Sequence, residues 1–179
     1  MKPRAVQDFV WKKKQVVQLR VDVYGAFHSG DDDNYFVGSI VTFKTDNGSS
    51  LAVVDGQQRL TTLYLLFCAL RDRLREFDPT TSVPTLDQAI ASADITPSGD
   101  TTMRHRLELR YKASNKVLHT IGEGKVDSLE LDKIAPGRAL LDAYRFCRDF
   151  LFEKFGEDDQ AGLKKFGTPR VPVGPVGSA

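Results

Sequence analysis

The sequence predicts an α/β (α+β) domain, and three observations carry that prediction. Residues 35–54 hold two short apolar runs rich in β-branched and aromatic residues, separated by Asn47-Gly48, which is the pattern of a β-hairpin. Asp55-Gly56 follows the second run at once and opens a long segment of helical periodicity. A further helical pattern covers 137–155.

Taken in order, Val16, Leu19, Val23 and Phe27 recur at helical spacing and predict an amphipathic helix over 12–27. The polar run His28 to Asn34 predicts a loop. Tyr35–Lys44 and Ser50–Val54 form the hairpin, with both turn residues tolerant of positive φ. The next helix presents Leu60, Leu63, Tyr64, Phe67, Leu70, Leu74 and Phe77 on one face, with Arg71, Asp72, Arg73, Arg75 and Glu76 opposite. Asp55 and Gln58 have the spacing of a capping box at its start. Residues 78–102 are rich in Thr, Ser, Pro and Asp and predict a surface excursion holding a short helix near Leu86–Ala91. Arg106–Tyr111 alternates as a strand, Ser114 is placed to cap a short helix through Ile121, and Gly122-Glu123-Gly124 ends it. The last helix puts Leu140, Tyr144, Cys147 and Leu151 on one face, and the composition after Phe166 offers neither period nor core. The expected domain is therefore 1–155, with 156–179 a disordered tail.

Composition narrows the function. A chain of 179 residues, 41% of them hydrophobic, suffices for one domain with a core. Its 25 Lys and Arg balance 24 Asp and Glu, so no global field draws it to DNA or to an acidic membrane, and nucleic-acid contact needs a local patch or another domain. No apolar run approaches the roughly 18 residues that span a bilayer, and no signal-peptide core follows Met1, so we expect a cytoplasmic protein without membrane contact. Cys68 and Cys147 sit in apolar helical patterns and read as core residues.

The densest set of polar groups lies at Asp55-Gly56-Gln57-Gln58-Arg59, between a strand and a helix. First-turn N–H groups and the helix dipole favour an anion there, and Gly56 allows close backbone approach. Arg59 offers a planar fork for two phosphate oxygens. Gln57 and Gln58 can donate to oxygens or orient a water, the hydroxyls of Thr61 and Thr62 lie within a turn, and Asp55 can hold a metal ion or position a water. Arg59 is expected to point away from the core and to be dispensable for folding. Strand–turn–helix junctions of this kind also occur in proteins that bind nothing, so spacing alone leaves both readings open. The junction is neither a P-loop nor G-x-G-x-x-G. Elsewhere, His28, His105 and His119 lack ligand spacing and read as surface or loop residues. Asp31-Asp32-Asp33 reads as a solvated acidic loop rather than a cation site, and no protein metal site is expected. Trp11 beside Lys12-Lys13-Lys14 can stack a base, but reads first as a buried indole at a helix start.

Asp55-Gly56-Gln57-Gln58-Arg59-Leu60-Thr61-Thr62-Leu63 resembles the DGQQR family, the N-terminal domain of GmrSD-type, modification-dependent (type IV) restriction endonucleases, with a ParB/sulfiredoxin-like fold. Tyr35-Phe36-Val37-Gly38-Ser39-Ile40-Val41 resembles the family strand before that motif, and Gln7-Asp8-Phe9-Val10-Trp11 its Q-R-x-Y-x-W segment, with Asp8 where the family has Arg. The resemblance covers roughly 7–155. It implies a domain that binds and hydrolyses a nucleoside triphosphate (GTP, ATP or CTP, with Mg2+ as a companion ion) through Asp55, Gln57, Gln58 and Arg59, lined by Gly38, Ser39, Gly56, Thr61 and Thr62. It also implies coupling, in phage defence, to cleavage of modified DNA by a nuclease domain or subunit outside this chain, and leaves a homodimer open. Met1 begins close to where the family's first strand would end, so that strand is expected to be missing, and no H-N-H pattern follows Phe155. A non-enzymatic ParB-like module that switches binding with nucleotide, and a truncated remnant, are the competing readings.

Overall fold

Gly56 decides where the central helix begins. Its φ of +83° lies in the left-handed region, which glycine enters without a Cβ penalty. There the chain turns from β3 (Ser50–Asp55) into α2 (Gln57–Phe77). The computed structural model describes residues 2–5, 8–29, 36–45, 50–95, 98–130 and 137–168. Around α2 stand α1 (Lys13–Ser29), α3 (Pro84–Ile90), α4 (Lys112–Gly122), α5 (Arg138–Phe155) and α6 (Gln160–Gly167), and all five pack on it. A four-stranded sheet runs in the order β2 (Val41–Lys44), β3, β1 (Lys2–Ala5), β6 (Glu108–Leu109). β2 is antiparallel to β3, with Thr42 opposite Val53 and Phe43 opposite Ala52, whereas β1 is parallel to both β3 and β6. The architecture is α+β.

Helical periodicity located α1, α2 and α5 but not the whole of the buried surface of α2. Leu60, Leu63, Phe67 and Phe77 are only partly buried, while Leu65, Cys68 and Ala69 are fully so. The helix is enclosed on several sides, so a single stripe understates what it buries. The face of α5 follows its pattern, with Leu140, Tyr144, Cys147 and Leu151 all buried, while on α1 Val16 and Leu19 are buried and Val23 and Phe27 only partly so.

Several expected elements differ. The strand from residue 35 shortens to Val41–Lys44, because 36–40 crosses the start of α2 instead of pairing, and the Asn47-Gly48 turn lies outside the described residues. The excursion over 78–102 holds α3 and then β4 (Ala91–Ile95), which pairs with β5 (Thr101–His105). The strand at 106–111 is reduced to β6. Ser114 does not cap α4, which starts two residues earlier with Tyr111 at its N-cap and buries Ser114. Residues 2–5, for which no strand was expected, form β1 and supply the sheet's parallel pairings. The tail assignment fails over 156–168. Asp159 caps α6 by accepting from the Gly162 N–H at 2.8 Å, Leu163 is fully buried, and Phe166 packs its ring on Phe27, Phe155 and Tyr24. Residues 169–179 lie outside the described residues.

One buried polar network ties the helices. Arg71, assigned by pattern to the solvent face, is 5% exposed. It donates to the Ile121 carbonyl at 3.0 Å and to that of Gly122, thereby capping the C-terminal carbonyls of α4. Asp72 accepts from Arg71 Nη2 at 2.7 Å and from the Tyr144 hydroxyl at 2.7 Å. Burial is the largest influence on Arg71 and opposes its charge, but the Asp72 carboxylate, with Cys68 and Tyr144 adding to it, leaves the Arg71 pKa raised.

Burial raises the pKa of four acids: Tyr64, Tyr144 (assisted by Asp72), Cys68, and Cys147, which is pushed up to about 12. A raised pKa means that the fold holds the proton more tightly than the open chain does. The stability involved is therefore complete below the ordinary values of 9.0 and 10.0 and is lost as pH climbs above them. The thermal midpoint is expected to hold level to about pH 8.5 and then fall steadily. Calorimetry across a pH series checks this, and a level midpoint through pH ~10.5 would count against the burial of these groups.

Candidate functional site

The first turn of α2 sends three consecutive side chains in three directions, as a helix must when each residue turns by about 100°. Gln57 is buried, and its Nε2 donates to the carbonyls of Val53 (2.7 Å) and Val54 (3.2 Å) at the end of β3. Gln58 reaches the segment before α1. Its Oε1 accepts from the N–H groups of Val10 (2.9 Å) and Trp11 (3.3 Å), and its Nε2 donates to the Asp8 carbonyl at 2.8 Å. Arg59 reaches the segment before β2, donating from Nη1 to Val37 O (3.2 Å) and from Nη2 to Ser39 O (2.9 Å). Residues 8–12 and 36–40 belong to no ladder, and these side chains satisfy backbone groups that lack strand partners.

Two glycines permit the close approach. Gly38 has φ +95°, and a Cβ there would lie 1.7 Å from Arg59 Nη1. A Cβ on Gly56 would lie 3.1 Å from the Ser39 carbonyl oxygen. The capping box predicted from Asp55 and Gln58 does not form. Gly56 is the N-cap and receives no side-chain bond, because the Gln58 amide is engaged with residues 8–11.

What remains is a cleft of about 270 Å3, lined by Trp11 and residues 54–59. The Asp55 side chain is 67% exposed and lies 3.6 Å from Arg59 Nη2, a loose ion pair rather than a hydrogen bond. Arg59 carries five N–H groups, and two of them serve the Val37 and Ser39 carbonyls. The cleft thus joins one guanidinium, one carboxylate and one indole beside the first turn of a helix. Thr61 and Thr62 are buried and do not line it. Thr62 Oγ1 donates back to the Gln58 carbonyl at 2.8 Å. Gly38 and Ser39 stand behind Arg59.

Asp55, Gly56, Gln57, Gln58 and Arg59 all line this cleft, while the side chains of Gln57, Gln58 and Arg59 are bonded to backbone as far as 50 residues away, partners that local spacing does not announce. Arg59 is not dispensable for folding on this geometry. Trp11 joins the site, half-buried rather than buried; its sequence signal is an aromatic placed just before a basic helix start. His28 is exposed as expected, but His105 is 6% exposed, stacked on His119 with centroids 4.0 Å apart and 3.2 Å from the Tyr64 hydroxyl, because β5 carries it under α4. The Asp31-Asp32-Asp33 run lies outside the described residues, and among those described no group of three His, Cys, Asp or Glu is placed to hold a metal. A larger cleft of about 540 Å3 lies beyond Arg71 and His105. Its rim charges pair with one another, Arg75 with Asp87 at 3.7 Å and Lys125 with Glu123 at 2.9 Å. Among the described residues, no helix is long and apolar enough to cross a membrane.

Residues 3–161 match the family described as GmrSD restriction endonuclease, N-terminal domain. No curated protein matches the chain.

The staple geometry has a direct test. Arg59→Ala removes two charge-assisted bonds to backbone carbonyls, and Gly38→Ala forces a side chain into left-handed backbone against the guanidinium, so each is expected to destabilise by about 1–3 kcal/mol. At roughly 2–4 °C per kcal/mol for a domain of this size, both appear as a lowered thermal midpoint. The double variant should lose less than the sum, since both changes undo one contact. Full additivity would show that Gly38 and Arg59 act independently.

Proposed function

The chain belongs to the GmrSD N-terminal domain family, and from that premise we propose that it is the nucleotide-binding domain of a cytoplasmic, modification-dependent restriction system acting in phage defence. The observation that carries the reading is the cleft in which Arg59, Asp55 and the first turn of α2 converge beside Trp11. A triphosphate placed there meets the guanidinium as its charge partner and the helix start as a dipole and N–H donor set. Gly38, Ser39, Gln57 and Gln58 act as positioning residues, since they fix the loops around the cleft, and Thr61 and Thr62 support the first turn from within.

Asp55 sets the ion requirement. A carboxylate beside a polyphosphate repels it unless a divalent cation lies between them, and Mg2+ is commonly held by one or two carboxylates together with substrate phosphates and water. With Asp55 as one exposed carboxylate and no further metal-ligating cluster among the described residues, the residues present fit a Mg2+ ion that arrives with the nucleotide. When bound, such an ion neutralises phosphate charge and orients the phosphates against Arg59.

Turnover rests on Asp55 as the group that orients an attacking water, with Arg59 stabilising charge on the transferred phosphoryl. The amides of Gln57 and Gln58 are engaged with backbone, which favours a second reading, a domain that binds nucleotide to switch its contact with DNA, a nuclease part or a second copy, with little hydrolysis.

Calorimetric titration with GTP, ATP and CTP, with and without Mg2+, tests the proposal. Binding is expected to be Mg2+-dependent, and Arg59→Lys should weaken it by about 10- to 100-fold through loss of the planar fork. Asp55→Asn should bind without Mg2+ nearly as well as with it, while leaving the thermal midpoint in place because Asp55 is exposed. No binding of any nucleotide, or equal binding by Arg59→Lys, defeats the reading. Phosphate release from the bound complex separates the hydrolase from the switch.

A further inference from the structure

We propose that Trp11 is the platform on which the base of the bound nucleotide stacks, so that the cleft recognises an aromatic ring joined to an anion rather than phosphate alone. The inference rests on the nucleotide reading of the cleft and adds the group that the sequence motif does not contain.

Trp11 is placed by the motif itself. Gln58 Oε1 accepts from the N–H groups of Val10 and Trp11, and its Nε2 holds the Asp8 carbonyl, so the indole's backbone is pinned to the residue that precedes Arg59. Trp11 packs against the core, is only half-buried, and is one of the residues that line the cleft, so part of it stays accessible beside the helix start. The cleft holds about 270 Å3, just below the range of roughly 300–1,000 Å3 that encloses a drug-sized ligand. A ring and its nearest charged group fit inside, and the rest of a triphosphate extends outward past Arg59.

This arrangement has a consequence for specificity. Base–aromatic stacking accepts any base, since every base has a π-face. The side-chain amides of Gln57 and Gln58, both in the cleft lining, are engaged with backbone. The cleft is therefore expected to take purine nucleotides somewhat better than pyrimidine ones, by stacking area, without sharp discrimination.

The chain contains one tryptophan, so its indole fluorescence reports on this site alone. With Mg2+ present, ATP, GTP and CTP should each quench it, and inorganic triphosphate should bind by calorimetry without comparable quenching. Trp11→Phe should hold nucleotide within about tenfold of wild type, and Trp11→Ala should bind about 10- to 100-fold more weakly while its affinity for inorganic triphosphate stays unchanged. That last comparison guards against a variant that is merely poorly folded. Nucleotide heat without quenching, quenching by inorganic triphosphate equal to that by ATP, or unchanged nucleotide affinity in Trp11→Ala overturns the stacking proposal alone. Absence of nucleotide heat from the wild-type protein overturns both it and the reading on which it rests.

Discussion

The backbone groups of two irregular segments, 8–12 and 36–40, need hydrogen-bond partners that no neighbouring strand provides, and that requirement shapes the site. Polar backbone packed against a core must be satisfied by something. Here the satisfying groups are the side chains of Gln58 and Arg59, while Gln57 does the same for the end of β3. One helical turn thereby fixes the separation of three stretches that are far apart in the chain. The cleft is lined by Trp11 of the first segment and by residues 54–59, while 36–40 lies on the far end of the Arg59 bonds, and the cleft's shape is as rigid as the hydrogen bonds that border it.

The same helix carries this arrangement into the core. Four residues past Cys68, Asp72 receives both Arg71 and Tyr144, and Arg71 closes the C-terminal end of α4. The two ends of α2 thus perform the same task, supplying partners to backbone that lacks them, with neutral amides and a cation at one end and a buried ion pair at the other. A buried ion pair contributes little net stability compared with apolar packing, but breaking it by removing one partner is severe. Its effect here is to fix the register of α2, α4 and α5 relative to one another, and with it the orientation of the first turn.

Much of the fold was legible in the sequence because it obeys local rules. Val16, Leu19, Leu140, Tyr144 and Leu151 recur at helical spacing and are buried; the hairpin announced itself by alternating β-branched residues, and Gly56 by its place between strand and helix. The parts that were not legible depend on partners distant in sequence. No local signal says that Gln58 will hold residue 8 rather than cap its own helix, that Arg71 will turn inward to α4, or that His105 will lie beneath it. β1 escaped because four residues with two charges and a proline carry no strand pattern, and only parallel pairing on both sides makes them one. α6 escaped because one buried leucine and one phenylalanine are too few to show a period.

The division of labour within Asp55-Gly56-Gln57-Gln58-Arg59 bears on how such a string should be read in other genomes. Four of its five letters serve the architecture: the glycine by its backbone, the two glutamines and the arginine by bonds to distant carbonyls and amides. A descendant that lost every trace of ligand affinity would still be under pressure to keep those four merely to fold. The signature would then outlive the activity, and a copy bearing it announces its ancestry more securely than its present chemistry. Only Asp55, the one letter that the scaffold does not need, is free to drift when the cleft falls out of use, so its replacement in an otherwise intact motif would mark the lineages in which the site has gone silent.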